Sequence, residues 1–555
     1  MDRRQAAGAC SAQETNKGTE TMPIQPITRR GLSQVLLGGA GALALPRLAR
    51  AQSRKGVLVI GLDISDTVTL DPARQNNYSP PLTLEAVYDT LVTMAPGKYE
   101  TLQPQLATQW ARTPDGKGWR FTLRDGVKFS SGNAVSAEDW KFTFDRILAL
   151  KDQTAQYISN VAGTAVPGPG QFDLILKEPN EPVLTIIAAP GFSVLEKAAV
   201  EAHGGLARAG ADTEDKASAW LNGVSAGTGA YMMTAWARNQ QIQLVANPHS
   251  WRGTPHFQRI VIRHIPDSAA QLLAVQRGDV DVAFNLIPEQ IATLRGDAKV
   301  RVEGLTSLDF VYMALTQNPE LNKALAVKEA RQAIGYAIDY DGIVTNMLGG
   351  QATRPASFLP IGVRGSTEAV AKELGFRQDL DRAKMLLQKA GLAEGFEYEV
   401  SYGNAAIAGI SYQTLAQKIQ SDLARVGIKV KLAPMDQVNL RTQYIGGKST
   451  SVITFWNPPA VENKLWAAAT VERVAKRVGW TPSPDLVKLV NQAASEQDAD
   501  KQAKLWIDYQ RAMVDQAHYI LLFQPTYQVA VSNGIKAFPL TAAGWMADLN
   551  GATPA

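Results

Sequence analysis

A helix that passes straight into a strand is the feature that most restricts how this 555-residue chain can fold. Leu415, Ile419 and Leu423 recur at near-helical spacing, the pattern stops at Gly427, and apolar residues alternate over 428–432. Glycine commonly ends a helix because it adopts positive φ angles at no steric cost. The join predicts a compact helix-to-strand unit, and such units are typical of mixed α/β architectures.

Other segments support the same fold class. Short β-branched or alternating runs predict strands at 57–60, 119–124, 260–262 and 398–400. Ser136 and Asp139 have the spacing of a capping box, which predicts a helix that continues through Trp140 and Phe144. About 500 residues are more than one hydrophobic core normally organises, so we expect two or three domains.

The N-terminal segment has the pattern of a secretion signal. Arg29 and Arg30 precede a weakly apolar run of roughly 14 residues, too short to span a bilayer as a helix, and Ala49 and Ala51 form a small-x-small cleavage site. The paired arginines favour a twin-arginine (Tat) signal, which exports folded proteins, over an ordinary Sec signal. We predict that residues 1–51 are removed, with either Met1 or Met22 as the start.

Charge and cysteine usage restrict the partners of the mature chain. The whole sequence has 56 basic and 52 acidic residues, but removing 1–51 leaves 49 of each, so the mature chain is formally neutral. This balance gives no reason to expect nucleic acid or an anionic membrane as a partner. The one cysteine, Cys10, lies in the leader, so neither disulfides nor thiolate metal sites are expected.

An ordered series of short segments then connects the chain to a known family. They are Leu70-Asp71-Pro72, Val87-Tyr88-Asp89-Thr90-Leu91, Gln103-Pro104-Gln105-Leu106-Ala107, Phe121-Thr122-Leu123-Arg124-Asp125-Gly126-Val127-Lys128-Phe129, Ala137-Glu138-Asp139, Phe142-Thr143-Phe144, Gly227-Thr228-Gly229-Ala230-Tyr231, Asn247-Pro248-His249-Ser250-Trp251, Gly278-Asp279-Val280-Asp281, Arg331-Gln332-Ala333, Ala337-Ile338-Asp339 and Gly349-Gly350. In this order they resemble the family 5 extracellular solute-binding proteins, which include dipeptide, oligopeptide and nickel receptors of ABC importers. The resemblance runs over almost the full mature length.

The resemblance implies a periplasmic-binding-protein-like α/β fold with two lobes around a ligand cleft. The implied divisions are lobe I at 52–305 with an inserted subdomain at about 91–210, lobe II at 306–525, and a return to lobe I at 526–555. It also implies a soluble, monomeric periplasmic receptor that closes on its solute, uses no cofactor, and delivers the solute to separate permease subunits of an ABC transporter. Coupling to a chemoreceptor on the same scaffold stays open.

The ligand is less defined by the resemblance. Dipeptide receptors of the family pair the peptide ammonium with an aspartate and the carboxylate with an arginine; here Phe455 takes the place of the aspartate, and the segment 402–409 contains no arginine. Because a buried charge without a partner costs several kcal/mol, the cleft is expected to discriminate against free dipeptides. A longer peptide or another small organic solute stays possible. The candidate ligand-binding residues are Asn77, Tyr78, Tyr312, Tyr402, Phe455, Trp456 and Asn457.

Two enzyme chemistries compete with a binding function. Gly223-Val224-Ser225-Ala226-Gly227 fits the Gly-x-Ser-x-Gly nucleophile elbow, and His518 could serve as its base, so a secreted serine hydrolase is the alternative. No β-branched strand precedes Ser225, however, and the glycines at 227 and 229 indicate a turn that a Cβ would obstruct. The five histidines form no His-Glu-x-x-His motif, so we predict no metal site and no enzymatic activity.

Overall fold

The computed structural model describes residues 56–555, except 76, 96–97, 179–182, 405, 457–460, 497 and 542–546. The predicted leader with Arg29, Arg30, Ala49 and Ala51 lies outside the described residues, and so does the candidate ligand-binding residue Asn457.

The strands of the described residues are β1 (Val57–Leu62), β2 (Val92–Ala95), β3 (Lys98–Pro104), β4 (Ala107–Arg112), β5 (Gly118–Leu123), β6 (Val161–Gly168), β7 (Gln171–Leu176), β8 (Tyr231–Ala237), β9 (Gln241–Ala246), β10 (Arg259–His264), β11 (Val282–Ala283), β12 (Val300–Thr306), β13 (Phe310–Leu315), β14 (Ala352–Thr353), β15 (Glu397–Gly403), β16 (Ala406–Ile407), β17 (Ile410–Ser411), β18 (Lys429–Met435), β19 (Ser451–Trp456), β20 (Tyr519–Ser532), β21 (Ile535–Ala537) and β22 (Thr553–Pro554).

The α-helices of the same residues are α1 (Pro80–Val87), α2 (Ala137–Leu150), α3 (Gln153–Tyr157), α4 (Val183–Ile186), α5 (Lys197–Ala202), α6 (Ala211–Glu214), α7 (Ala217–Leu221), α8 (Ser268–Arg277), α9 (Pro288–Leu294), α10 (Lys323–Ala326), α11 (Lys328–Ala337), α12 (Glu368–Leu374), α13 (Leu380–Lys389), α14 (Tyr412–Ala424), α15 (Gln437–Ile445), α16 (Asn463–Ala468), α17 (Pro484–Ser495) and α18 (Ala499–Gln516).

One large mixed sheet organises the described chain. Its strand order is β18-β15-β19-β13-β20-β11-β1-β10-β9-β8, with β12 and β14 also pairing with β20. Strands β1 and β10 are parallel, whereas β10, β9 and β8 form an antiparallel edge. The apolar side chains of the sheet are buried in separate clusters at its two ends. One cluster contains Ile60 and Ile260 with the second part of β20, and another contains Val311 and Ile520 with the first part of β20. The sheet therefore has two halves with different cores.

Strand β20 runs through both halves of this sheet. Its first part pairs with β13 over Tyr519 to Phe523, and its second part pairs with β12 over Thr526 to Ser532. The first seven residues of the strand are buried, and the three at Thr526, Tyr527 and Gln528 are partly exposed. The strand thus emerges from the core at the point where it leaves one half and enters the other.

A smaller antiparallel sheet, β4-β5-β7-β6, packs against helix α2. Its core is aromatic: the rings of Phe144 and Phe172 lie 5.5 Å apart and those of Trp140 and Phe172 lie 6.3 Å apart. The predicted capping box is confirmed, since the Ser136 backbone N–H donates to the Asp139 carboxylate at 2.9 Å and the helix begins at the next residue.

The predicted helix-to-strand join at Gly427 is confirmed, and a second join has the same form. Helix α14 buries Leu415, Ile419 and Leu423, and the chain turns at Gly427 with φ +82° before it enters β18. Helix α8 ends at Gly278, with φ +72°, and leads to β11. Both glycines therefore occupy the left-handed conformation that other residues avoid. The mixed α/β architecture expected from the sequence is confirmed.

A buried ionic cluster attaches helix α2 to the loops beside it. Arg146 donates two hydrogen bonds to Asp71, at 3.0 and 2.7 Å, and two to Asp215, both at 2.9 Å. The three side chains are fully buried. Burial alone would raise the pKa of Asp215, but the hydrogen bonds and charge of Arg146 hold it below its ordinary value. These bonds join three segments that are distant in sequence.

Candidate functional site

A cavity of about 430 Å³ lies where the two halves of the large sheet meet. The segment 284–291, which follows β11, and the segment 406–412, which leads into α14, both line it. Residues 526–529 of β20 also line it. The lining residues are Tyr78, Phe284, Asn285, Leu286, Ile287, Pro288, Ile291, Leu305, Leu348, Gln351, Ala406, Ile407, Ala408, Gly409, Tyr412, Phe455, Thr526, Tyr527, Gln528, Val529, Leu540 and Thr541.

The chemistry of this lining is apolar and aromatic with a few polar groups. Within the described part of the chain, none of the lining side chains carries a formal charge. Amides of Asn285, Gln351 and Gln528 and hydroxyls of threonine and tyrosine supply the polar atoms. Such a composition, and a volume of this size, are typical of sites for small organic ligands.

Phe455 is the exposed aromatic side chain of the cavity. It is 47% exposed, although most large apolar residues of the described chain are buried. Phe455 lies near the end of β19 opposite Val311, and Trp456 lies opposite Phe310. Since neighbouring residues of a strand point to opposite faces, Trp456 turns away from the cavity and packs on Phe358, with ring centroids 5.2 Å apart. Only Phe455 of this pair lines the cavity.

Tyr78 also lines the cavity, and its neighbour Asn77 holds the loop that presents it. The Tyr78 backbone N–H donates to the carboxylate of Asp66 at 2.7 Å, and the Ser79 N–H donates to the same oxygen at 3.1 Å. The side-chain amide of Asn77 donates to the Asp66 carbonyl. Asn77 is therefore placed as a support of Tyr78, and it is absent from the lining.

Tyr312 and Tyr402 lie in the apolar core. Tyr312 is 1% exposed, its hydroxyl lies 3.2 Å from that of Tyr444, and burial raises its pKa to about 12. Tyr402, in β15, is 3% exposed and packs in the core behind β13 and β19. The structure thus brings together Tyr78 and Phe455 of the predicted set, and it places Asn77, Tyr312, Tyr402 and Trp456 elsewhere.

Tyr527 and Asp309 add a polar network that the sequence patterns did not reveal. The Tyr527 hydroxyl donates to the carboxylate of Asp309, across 218 residues of sequence. The rings of Tyr78 and Tyr527 meet edge to face with centroids 6.0 Å apart. Tyr527 therefore connects the cavity wall to the buried carboxylate of Asp309, and the ring of Tyr78 packs against the ring of Tyr527.

Asp309 contributes to the raised pKa values of three tyrosines that line the cavity. Burial and then Asp309 raise the pKa of Tyr78 above the ordinary phenol value, and Asp66 acts in the same direction. Burial followed by Asp309 does the same for Tyr527. For Tyr412 the causes are burial, Tyr312 and Asp309. Three phenols that line the cavity therefore lie in the negative potential of one carboxylate.

Two of the lining residues, Phe284 and Asn285, lie at a position that the sequence could have indicated. In α/β sheets, ligands bind beyond the carboxyl ends of strands, and Phe284 and Asn285 directly follow β11. The Asn285 side-chain oxygen accepts from the backbone of Asp63 at 2.9 Å and from Gln271 at 3.0 Å. These hydrogen bonds hold in place the segment that contains Phe284. Tyr412 and Tyr527 carried no comparable local pattern.

The residues of the hydrolase alternative have separate surroundings. The Ser225 hydroxyl oxygen accepts from the Met233 backbone at 3.1 Å, and Ser225 is 9% exposed. His518 is fully buried, contacts Gln317 at 3.2 Å, and lies 4.1 Å from the ring of Trp480. These two side chains have different partners, so the structure does not assemble them into a Ser–His pair.

Comparison with known proteins places this arrangement in a family. A family model described as bacterial extracellular solute-binding proteins, family 5 Middle, matches residues 101–466. The probable D,D-dipeptide-binding periplasmic protein DdpA of Escherichia coli is 28% identical over 507 residues, covering 88% of this chain and 93% of that protein. The dipeptide-binding protein of Escherichia coli is 24% identical over 486 residues, covering 82% and 87%.

Solved structures share the fold. DppA from Helicobacter pylori, an ABC transporter-associated periplasmic binding protein in complex with the peptide STSA, matches with a TM-score of 0.73 at 21% identity, over 90% of this chain and 98% of that one. NikA from Brucella suis in complex with Fe(III)-EDTA matches with a TM-score of 0.77 at 19% identity, over 90% and 100%. The predicted periplasmic-binding-protein-like fold is confirmed.

The family members are binding proteins rather than enzymes. The family is described as extracellular and the first relative is called periplasmic, which confirms the predicted location. A search of the described residues finds no helix with the length and apolar character needed to span a membrane. The match over residues 101–466 shows that the chain belongs to the bacterial extracellular solute-binding proteins of family 5.

Proposed function

We propose that the cavity between the two halves of the sheet captures a peptide-sized organic solute, which the protein delivers to the permease subunits of its transporter. The observation that carries this proposal is the position of the cavity: it is lined by segments from both halves of the sheet and by β20, the strand that the two halves share. A solute in this place contacts both halves at once.

Capture proceeds by closure of two lobes, at 52–305 with a subdomain at about 91–210 and at 306–525, with 526–555 returning to the first. A ligand that contacts both lobes only when they are shut binds the closed state more tightly and shifts the population toward it. The pairing of Thr306 with Thr526 and the partial exposure of Tyr527 support a hinge at the middle of β20. The permease then recognises the closed form of a monomeric receptor.

The chemistry of the cavity favours a solute with an apolar body. Phe455, Phe284 and the tyrosines offer rings for stacking, and the amides of Gln351 and Gln528 offer hydrogen bonds. The relatives named for D,D-dipeptides, di- or tripeptides and glutathione support a ligand of this size. Since no lining residue in the described chain is cationic, a free carboxylate finds no charged partner there, which supports discrimination against ordinary zwitterionic dipeptides.

The protein performs no chemistry on this solute. The different partners of Ser225 and His518 support this part of the proposal. We further propose that residues 1–51 are a leader of the twin-arginine type, removed after Ala51, so that the receptor reaches the periplasm already folded.

Three measurements on the purified mature protein test the proposal. Mass spectrometry of solutes that co-purify with it should identify a small organic molecule or peptide, and the same molecule should raise the unfolding temperature and reduce the radius of gyration in solution X-ray scattering. If a fluorophosphonate probe labelled Ser225 while no solute pool stabilised the protein, the receptor function would have to be abandoned.

A further inference from the structure

A tight turn at residues 64–67 supports the loop that places Tyr78 in the cavity wall. The Thr67 backbone N–H donates to the Ile64 carbonyl at 3.0 Å and closes this turn. The third residue of the turn is Asp66, and its carboxylate accepts a hydrogen bond from the backbone N–H of Tyr78 at 2.7 Å. The position of Tyr78 therefore depends on how the 64–67 turn is held.

The side chain of His264, at the end of β10, anchors this turn. The Ile64 backbone N–H donates to Nδ1 of His264 at 3.3 Å. Because a ring nitrogen accepts a hydrogen bond only when it carries no proton, this contact requires the neutral imidazole with its proton on Nε2. Ile64 is 2% exposed, so its N–H has little access to water that could replace the acceptor. His264 therefore anchors the 64–67 turn in one protonation state.

The carboxylate of Asp63 lies 3.5 Å from the same ring nitrogen. With a proton on Nδ1, the ring would face the Ile64 N–H as a second donor and would be attracted to the Asp63 carboxylate instead. The Asp63 backbone N–H donates to the side-chain oxygen of Asn285 at 2.9 Å, and Asn285 lines the cavity. Protonation of His264 therefore acts on the cavity lining at two points, through Asn285 and through the turn that holds Tyr78.

Other charged side chains lie on the elements beside His264. They are Arg238 between β8 and β9, Arg263 on β10, and Asp267 before α8, in addition to Asp63 after β1. The two arginines and Asp267 form hydrogen bonds with backbone groups of their own surroundings. An imidazole is the side chain that ordinarily changes its charge between pH 5 and 8, so a response of the turn in this range is expected to originate at His264.

We propose that His264 is a positioning residue of the binding site: its neutral ring holds the 64–67 turn in the form that places Tyr78 for solute capture, and its protonation releases the turn. This inference rests on the proposed function, because it concerns the same cavity. His264 is outside the described lining of the cavity and acts through Ile64 and Asp66. The receptor therefore binds its solute more tightly at neutral pH than in an acidified environment.

The backbone amide of Tyr78 reports the state of the turn without any solute. Solute-free protein that contains ¹⁵N-labelled tyrosine is titrated from pH 8 to pH 5 by nuclear magnetic resonance, and the Tyr78 signal is assigned by its loss in Tyr78→Phe. In the wild-type protein this signal should move with a midpoint inside the range, because the bond from Ile64 to His264 is lost as the ring gains its proton. A signal that does not move would overturn the proposal.

Two variants assign the response to His264. His264→Asn can place an uncharged oxygen close to the position of Nδ1, so it retains an acceptor for the Ile64 N–H and the Tyr78 signal should no longer move with pH. His256→Asn is the matched control, because His256 is an exposed histidine just before the same strand and outside the described lining, and the wild-type titration should persist in this variant. Equal movement in the wild type and in His264→Asn would contradict the role of His264.

Affinity connects the turn to solute capture. The solute that co-purifies with the protein, added back to solute-free protein, should bind about threefold or more weakly at pH 5.5 than at pH 8 by isothermal titration calorimetry. His264→Asn should remove this difference, and because the same solute is used in both proteins, any titration of the solute itself cancels in the comparison. His264→Leu lacks the acceptor and should bind weakly at both pH values. The same pH dependence of affinity in the wild type and in His264→Asn would overturn the proposal.

The outcomes distinguish this inference from the proposed function. If the co-purified solute stabilises and closes the protein equally in the wild type and in His264→Leu, the positioning role is wrong and the receptor function stands. If no solute of any kind shifts the unfolding temperature or closes the lobes, the proposed function itself fails, and the Tyr78 signal still decides whether His264 holds the turn.

Discussion

Asp71 and Asp309 are both buried carboxylates, but their surroundings differ. Asp71 is fully buried and accepts hydrogen bonds from both terminal nitrogens of Arg146 and from the Ser218 hydroxyl at 2.7 Å. Asp309 accepts from the hydroxyl of Tyr527, and that phenol forms part of the cavity wall. The first carboxylate faces a permanent guanidinium inside the protein, and the second connects to a surface that a solute can reach.

This difference in surroundings indicates a structural role for Asp71 and a role in ligand recognition for Asp309. A carboxylate bonded to an internal arginine holds distant segments together and is not accessible to a ligand, so we expect changes there to alter the free energy of unfolding. A carboxylate that acts through cavity phenols changes the potential that a ligand experiences. We expect changes there to alter affinity more than stability.

Replacement of Arg146 by leucine should have the largest effect on stability. Arg146→Leu removes the hydrogen-bonded counter-charge of Asp71 and Asp215 and leaves them with the more distant Arg74, at 4.0 and 3.7 Å, so the free energy of unfolding should fall by about 3–5 kcal/mol. Urea denaturation followed by circular dichroism measures the change. Lys151→Met is the control, because its ion pair with Asp212 is largely exposed and its loss should leave stability unchanged. If Arg146→Leu and Lys151→Met both had a small effect on the free energy of unfolding, the structural role of the Asp71–Arg146 pair would be contradicted.

The same contrast between a structural residue and a ligand-binding residue applies to the neighbours Trp456 and Phe455. Trp456→Ala should lower the free energy of unfolding by about 3 kcal/mol, because the ring packs on Phe358 in the core. Phe455→Ala removes a half-exposed ring from the cavity wall, so it should weaken binding of the co-purified solute by about 1–2 kcal/mol and leave the unfolding midpoint nearly unchanged. Calorimetry of both variants measures the affinity, and thermal unfolding measures the stability. If Trp456→Ala lowered the affinity and Phe455→Ala lowered the stability, Trp456 would be the ligand-binding residue of the pair.

Asp71→Asn and Asp309→Asn test the two carboxylates directly. Asp71→Asn removes a charge that compensates Arg146, and we expect a loss of about 3 kcal/mol in unfolding free energy. Asp309→Asn replaces a hydrogen bond from a neutral phenol and should cost about 1–2 kcal/mol. Chemical denaturation of both variants in parallel provides the comparison. Equal losses would show that Asp309 is as structural as Asp71.

His518 extends the comparison to a buried base, with the smallest expected effect. Burial, followed by the charge of Arg331, lowers its pKa well below the ordinary value of 6.5. The unfolded chain therefore takes up a proton below pH 6.5 while the folded chain does not, so this contribution to stability is complete above pH 6.5 and is lost as the pH falls. Between pH 6.5 and 5 the loss should be about 1–2 kcal/mol, and His518→Gln should remove that part of the pH dependence. An unchanged slope in unfolding experiments across this range would contradict the assignment.

Local patterns were sufficient to predict much of the fold. The capping box at Ser136, the helix with Leu415 and Ile419, and the turn at Gly427 each depend on residues within a few positions of one another. The role of Gly227 was less accessible. Its expected turn is not at a positive φ; a Cβ there would lie 2.4 Å from the Val87 carbonyl oxygen and 2.3 Å from the ring of Tyr88. Only the tertiary packing shows this close approach.

The candidate site could be predicted only in part, for a similar reason. Phe455 was indicated by the family resemblance and Tyr78 was a candidate as an aromatic residue of the first lobe, and both line the cavity. Tyr527 and Asp309 meet across 218 residues because β12 and β13 pair with β20, and no local pattern predicts that pairing. Tyr312 lies on a strand with all six residues buried, so alternation gave no indication of which face its ring takes.

Strand β20 has a consequence for the order in which the chain can mature. It is an interior strand of the sheet, yet it is formed by Tyr519–Ser532, after all the other strands of that sheet have been synthesised. A ribosome-bound chain that ends before these residues lacks the strand between β13 and β11 in both halves, so neither half can complete its hydrogen bonding. Each half therefore acquires its final structure only after translation has passed this strand, which leaves chaperones a long interval in which to act on an incomplete sheet before export.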